Sequence, residues 1–506
     1  MSRTAVKQIG WLVAYDLRQQ LRERGSVLLL VVALVLALVA LAQGEAFSRA
    51  TSAAAERAQA QQAKAQMQAQ SAAARYFASP DDPANASVQF WRSAFDLRGY
   101  AFREHVGFAV KPGLPGAALS IGQGDVLPAV VRVKAESMDS VRLAADIEHP
   151  QRLAAGRFDL QFFIVCLWPL VLLAATLSVL TQDRESQRLP ALALLGVTPR
   201  RVLLAQAIAR ALAATLLLIA VVGAAALLAG ALPMTLAGLG AGAAWAATVL
   251  AYSLFWAGVA ALVCARAGSR STAAFAGFGA WVGLVVLLPA AISAGVSLAA
   301  PLPPREGYIV AMRDAADQVQ ANRVTVMQAF YDQHPEWAPQ RTAIEKLPAA
   351  VTRLARASEL ERALGAVQAR FDQARDRQAE LLRRWSAFSP VSLSHDALSV
   401  LGGHDAARHA RFVAEVQVHQ RALHGFFQAR IQQAALSDER EPCPVGTATC
   451  AGGYGFTEFA AVPRFTASAG LAAAPGLPHA ALGLLVWAGL LLAVAAWWVR
   501  TQVRLS

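Results

Sequence analysis

The chain has 506 residues, 56% hydrophobic and only 16% charged, with a net charge of +12. This balance is unlike that of a soluble enzyme, and the apolar residues fall in blocks, the arrangement of a polytopic membrane protein rather than one large soluble core. The positive charge does not indicate a nucleic-acid partner, because the basic residues form no single patch interleaved with aromatics; many flank apolar blocks, as the positive-inside rule expects.

In chain order, residues 1–24 read as a cytoplasmic helix lying on the membrane. Ile9, Val13, Leu17 and Leu21 form an apolar stripe widened by Trp11 and Leu12, with Arg18, Gln19, Arg22 and Arg24 off it; a plain cytoplasmic tail is the other reading. The first span is 25–43. Arg3, Lys7, Arg18, Arg22 and Arg24 precede it and put the N-terminus inside. The apolar run is too long for a signal-peptide core, and no small-residue cleavage site follows closely.

Residues 44–158 form a first periplasmic region. Its Ala- and Gln-rich start, without Pro, predicts a long helix continuing the span to about residue 78. After Pro80 and Pro83 the composition shifts, and the run 129–133 reads as a short strand in a small mixed element. Asn85-Ala86-Ser87 fits a glycosylation triplet, a pattern that also arises by chance.

Spans two to five are predicted at 159–181, 203–231, 235–265 and 271–299, with a cytoplasmic loop at 182–202. Gly279 and Gly283 make a small-xxx-small pair, either a close-packing face or the ordinary glycine content of a membrane helix. Pro289 is expected to kink span five. Residues 300–478 form a second periplasmic region with helices near 307–334, 347–385 and 405–436. Span six is 479–499 and 500–506 a cytoplasmic tail. The predicted fold is an all-α polytopic membrane protein of six transmembrane helices, with two large, mainly helical periplasmic insertions and a small β element.

The chain carries no Walker A pattern. No Asp, Glu or Lys lies deep within a span, and Arg210 sits near the inner end of span three. Ion-coupled carriers use such buried charges, so the energy source is expected elsewhere. Five of the nine histidines lie between His395 and His424, but His404 and His409, like His419 and His424, are five residues apart and do not share a helix face as an i, i+4 pair would; no metal is assigned. Cys166 and Cys264 fall in apolar blocks and are expected to be inert. Cys443 and Cys450 lie in a loop-like stretch and pair as a disulfide if it is outside the cytoplasm, or stay thiols if it is not. No nucleophile–base constellation stands out, and the chain is not expected to be an enzyme.

Three stretches resemble the ABC-2 type transporter permeases, in the branch with a large extracytoplasmic region of unknown function, similar to the permease of nitrous-oxide-reductase maturation. His149-Pro150-Gln151-Arg152-Leu153 leads to Gly156-Arg157-Phe158-Asp159-Leu160, similar to the family's Gly-x-Phe-Asp-Leu before span two, so Gly156, Phe158 and Asp159 form a span-entry motif. Asp183-Arg184-Glu185 matches the core of a Glu-Glu-Arg-Glu-x-Gly-Thr-Leu pattern; Gln182 replaces one acid, and Gln187 and Arg188 stand in place of Gly-Thr. Phe388-Ser389-Pro390, with Leu398, His409 and Phe412 downstream, is similar to a Leu-Ser-Pro element and the helix after it.

The resemblance implies a partner ABC ATPase dimer gripping the 182–202 loop through Asp183, Arg184, Glu185 and Arg188, the alternative being that these residues cap helices and anchor the loop at the head groups. It implies a second permease, identical or related. ATP and Mg would sit on the ATPase, with no cofactor in this chain. The expected setting is a bacterial inner membrane, with membrane lipid around the spans and a periplasmic protein as a further partner. Substrate export or extraction toward the periplasm is the leading expectation. Its rivals are mechanotransmission to a periplasmic partner without transport, and a membrane receptor, which lacks a cytoplasmic segment large enough to signal.

Overall fold

The computed structural model describes residues 14–15, 18, 20, 22–80, 82, 89–135, 157–185, 198–333, 349–437, 454–473 and 479–505. Its first element, α1, is a single helix of 55 residues, Arg24–Ala78. The apolar first part enters a membrane bundle, where Ala33, Ala37, Ala40 and Leu41 are buried. The Ala- and Gln-rich second part continues as a stalk with no proline to interrupt the ladder, as the composition predicts. Gly44 marks the change of surroundings. A Cβ there would lie 2.1 Å from the carbonyl oxygen of Ala118, so only glycine admits this close approach.

The chain then forms short helical turns and an antiparallel pair, β1 (Gly107–Val110) and β2 (Val130–Val133), with Gly107 opposite Val133 and Val110 opposite Val130. The strand expected at 129–133 thus forms over Val130–Val133; its partner β1 is not apparent from sequence. Helix α2 starts as Leu160–Phe162, passes through a π-helical turn, Phe163–Leu167, and continues as Trp168–Glu185. Next come α3 (Pro199–Leu228) and α4 (Leu236–Arg266). Helix α5 comprises Arg270–Trp281, a π segment Val282–Leu287 and Leu288–Ala299. Pro289, where a kink was expected, lies in the first turn of the Leu288–Ala299 stretch, directly after that π segment; its ring cannot supply an N–H to the ladder.

The second insertion contains α6 (Arg305–Ala321), α7 (Arg323–Gln333), α8 (Ala349–Ser386), α9 (Pro390–Gly402) and α10 (Ala406–Ser437), and α11 (His479–Leu505) closes the chain. The single helix expected at 307–334 is two: the backbone breaks at Asn322, with φ −98° and ψ 36°.

Among the described residues six helices are long and apolar enough to cross a membrane, and the protein is an all-α polytopic membrane protein with one two-stranded sheet. Helix α4 is its centre, packing most extensively on α11 and then on α3 and α2. Helix α5 is the least enclosed: only 11% of its apolar window is buried, and a Cβ at Gly279 or Gly283 meets nothing within 4 Å. That glycine pair therefore makes no close packing among the described residues.

A second core lies outside the bundle. Tyr76 of α1 stacks on Phe95 at 3.8 Å with Phe90 edge-on to both, and in the same apolar cluster Tyr100, Phe427, Phe456 and Phe459 pack edge and face on one another. Asp96, fully buried, accepts the backbone N–H of Tyr454 at 2.9 Å and pairs with Arg98 at 2.7 Å. The two insertions thus form one body above the spans. Gly44→Ala is expected to lower stability by about 1–3 kcal/mol through overpacking against Ala118, whereas Gly25→Ala, which faces open space, leaves it unchanged or slightly raised; chemical unfolding in detergent micelles compares the two.

Candidate functional site at the two ends of the second span

Asp159 is the N-cap of α2, in extended conformation at φ −121° and ψ 174°. One carboxylate oxygen accepts the N–H of Phe162 at 2.7 Å, and the other accepts those of Ile121 at 2.7 Å and Gly122 at 3.1 Å. The side chain is buried. A carboxylate withdrawn from water needs such donors, and the positive end of a helix favours it further. Gly122 turns the chain toward it with φ +51°, in the left-handed region that suits glycine.

Gln161 continues the junction. Its amide N–H donates to the carbonyl of His395 at 3.1 Å and to the hydroxyl of Ser399 at 2.9 Å, and its oxygen accepts from Ser120. The ring Nδ1 of His404 lies 2.7 Å from the Ser120 carbonyl and donates to it. Three stretches distant in sequence therefore meet in a buried polar node: the turn 120–122 of the first insertion, the start of α2, and α9 with its following turn in the second insertion. Phe158 beside it is half-buried and makes an edge contact with Phe162 at 6.0 Å.

Ser389 and Pro390 build the helix that carries Ser399. Ser389 is the N-cap of α9, its hydroxyl accepting the N–H of Ser392 at 3.2 Å, and Pro390 occupies the first turn, where no N–H is needed. Leu398 and Phe412 are buried, and His409 lies 6.2 Å from the Phe412 ring.

Below the node, the π turn of α2 aims carbonyls at its neighbours. The Val165 carbonyl accepts the Tyr252 hydroxyl of α4 at 2.8 Å, and the Cys166 carbonyl accepts the Trp281 indole N–H of α5 at 2.8 Å. A π turn shifts bonding to the fifth residue and leaves such acceptors for side chains. Trp168 in turn donates to Ser253 at 3.1 Å. Neither Cys166 nor Cys264 is part of a disulfide.

At the far end α2 extends four residues beyond the predicted limit of 181, so Asp183, Arg184 and Glu185 lie on its last turn and not in a loop. The helix of span three likewise begins earlier, at Pro199. Arg210 of α3 is fully buried and donates to the Ala175 carbonyl of α2 at 2.9 Å, joining the two helices near that end. From Asp159 to Asp183 the helix rises ~36 Å at 1.5 Å per residue, enough for the ~30 Å apolar core of a bilayer. Gly156, Arg188, Cys443 and Cys450 fall outside the described residues, as do the side chains of Asp183, Arg184 and Glu185.

No group of three or more metal-ligating side chains occurs among the described residues. His424, like His404, gives a ring N–H to a backbone carbonyl, that of Ala135 at 2.8 Å. Sequence reasoning flagged Asp159 but not Ser120, Gln161, Ser399 or Arg408. Arg408 donates to the carbonyls of Pro112, Gly403 and Leu471 at 2.6–3.2 Å, and nothing in its spacing signals this.

Residues 305–440 match the family model described as Domain of unknown function (DUF3526). The matched stretch runs through α6 to α10 and includes Ser389, Pro390 and Ser399. No curated protein and no solved structure matches the chain.

Two outcomes follow for the node. Asp159→Ala orphans three backbone donors and is expected to destabilise the protein by at least about 3 kcal/mol, with Asp159→Asn milder; chemical unfolding measures both. Burial pushes the imidazolium pKa of His404 from 6.5 down to about 4. Between those values the unfolded chain takes up a proton that the folded one refuses. Its share of stability is therefore full above about pH 6.5 and lost as the pH falls toward 4, by up to ~1.4 kcal/mol per pH unit. His404→Gln should flatten the slope of melting temperature against pH in that window.

Proposed function

We propose that the chain is the permease subunit of an ABC transporter of the ABC-2 type, worked by a separate ATPase dimer that docks at the Glu185 end of α2. The observation that carries this reading is the single helix with Asp183-Arg184-Glu185 on its last turn at one end and the buried Asp159–Gln161 node at the other. A rigid-body displacement at the charged end would reach both insertions through hydrogen bonds that cannot stretch far before breaking. The hairpin formed with α3, pinned by Arg210 to the Ala175 carbonyl, would move as one piece. A second permease, identical or related, would cover the open face of α5 around Gly279 and Gly283.

In this reading the membrane is a bacterial inner membrane, both termini are cytoplasmic and the insertions are periplasmic. ATP and Mg belong to the partner, and the chain itself is not an enzyme. The direction is export or extraction toward the periplasm. The node favours a second reading, mechanotransmission: it ties α2 directly into the outer body, so the same stroke could reshape that body for a periplasmic protein while nothing crosses the membrane.

The test is affinity purification of the tagged protein from native membranes, with mass spectrometry of what accompanies it. A stoichiometric ATPase is expected, with recovery reduced at least about tenfold, the equivalent of 1.4 kcal/mol, when Asp183, Arg184 and Glu185 are changed together to alanine. Absence of an ATPase under several mild detergents would sink both readings. In a reconstituted complex, ATP hydrolysis stimulated only by a purified periplasmic protein would select mechanotransmission over transport.

A further inference from the structure

A slot of about 500 Å³ lies between the stalk, β1 and the segment following Val462, with Gln59, Gln62 and Gln66 of α1 forming its floor and Phe108, Val110 and Phe465 on its walls. Its volume is that of a ligand site, and its walls are lined in large part by polypeptide backbone without a partner. The backbone N–H of Lys111 bonds to the Ala129 carbonyl at 2.7 Å. In an antiparallel pair the hydrogen-bonded positions alternate, so the ladder between β1 and β2 uses residues 107, 109 and 111. The amides and carbonyls of Phe108 and Val110 consequently point the other way. The Phe108 N–H confirms the direction, donating to the Gln62 side chain at 3.0 Å. The Phe108 carbonyl and both backbone groups of Val110 have no partner among the described residues.

The opposite wall has the same character. Residues 463–468 carry no helix, strand or turn and alternate between half-buried and exposed positions, the pattern of an extended chain. Residues 464–467 make no backbone–backbone hydrogen bond among the described residues. They are held by side chains instead: Arg464 donates to Gln66 at 2.6 Å, and Ser468 bonds to Glu415. An edge strand and a second strand-like segment thus flank a gap one layer above a row of amide side chains.

We propose that this slot takes an extended polypeptide strand, which pairs its backbone with the outer edge of β1 and lies between it and residues 464–467. A row of alternating backbone donors and acceptors is matched by another backbone and by little else. The amide floor is neutral, Arg464 is the one charge in the lining among the described residues, and Phe108 and Phe465 supply apolar contacts. The guest is therefore an uncharged or mildly acidic segment with apolar residues at alternate positions. The proposal is independent of any ATPase, and its failure would leave the permease reading untouched.

The experiment uses the full chain in lipid nanodiscs, panned with phage-displayed random nine-residue peptides, the selected sequences then being synthesised with a fluorophore and titrated. Val110→Pro removes an N–H that the β1–β2 ladder does not use, on an edge where proline is tolerated, and is expected to weaken binding at least tenfold. Ala63→Trp, which fills the slot from an exposed position on α1, should do the same without touching the sheet. Hydrogen exchange at Val110 should slow on addition of peptide, while that of Val131 stays unchanged. Selection without a binder, equal affinity for wild type and Ala63→Trp, or unaltered exchange at Val110 would each overturn the proposal. If Val110→Pro fails to fold, the Ala63→Trp and exchange measurements decide it.

Discussion

The carboxylate of Asp159 constrains more of this molecule than any other single group. It is ionisable, out of reach of water, and placed where a membrane helix begins, so it has to be met by donors held in fixed positions. One of its oxygens sets the first turn of α2, and the other sets the turn of the first insertion at Ile121 and Gly122. Once those are fixed, Ser120 stands beside Gln161, Gln161 can reach Ser399, and α9 is drawn onto the same point. A buried polar network of this kind holds when all its members are satisfied and is costly when one is missing. The bond from His404 to the Ser120 carbonyl extends it to the turn that leads into α10.

The same helix is held against rotation lower down. Tyr252 and Trp281 reach it from two different helices and bond to adjacent carbonyls of its π turn. Apolar packing between helices in lipid is permissive, because the tails are as apolar as the side chains, and small polar contacts then decide register. Two such contacts from α4 and α5, and a third from Arg210 of α3, leave α2 little freedom to slide or turn alone. It can move only with its neighbours.

Much of this architecture was legible in the sequence, for physical reasons that differ by element. The spans announce themselves because a bilayer demands about twenty apolar residues in succession, and the stalk because Ala and Gln favour helix and no proline intervenes. Their ends were less legible: α2 carries on to Glu185 because charged residues are as content in the last turn of a helix as in a loop. The strand β1 escaped notice since Gly-Phe-Ala-Val is short and acquires its state only by pairing with β2. The node was half visible. Asp159 stood out through a family resemblance, but Ser120, Gln161 and Ser399 are ordinary polar residues whose meeting depends on contacts spanning up to 238 positions. The π turns and the break at Asn322 have no clear signature, being settled by neighbours rather than by local preference.

The continuity of α1 has a mechanical consequence. Its stretch beyond Gly44 is 34 residues long, counted to Ala78, and at 1.5 Å per residue forms an arm of ~50 Å. A tilt of only ~5° about a pivot at Gly44, where the Ala118 carbonyl packs against the helix surface, would sweep the tip through ~4 Å by plane geometry on that length. That is more than a hydrogen bond can absorb. The aromatic cluster around Tyr76 rides at the tip of this lever and would be displaced as a unit, so a small change of angle among the spans becomes, at the outermost part of the protein, a displacement comparable to the size of a side chain.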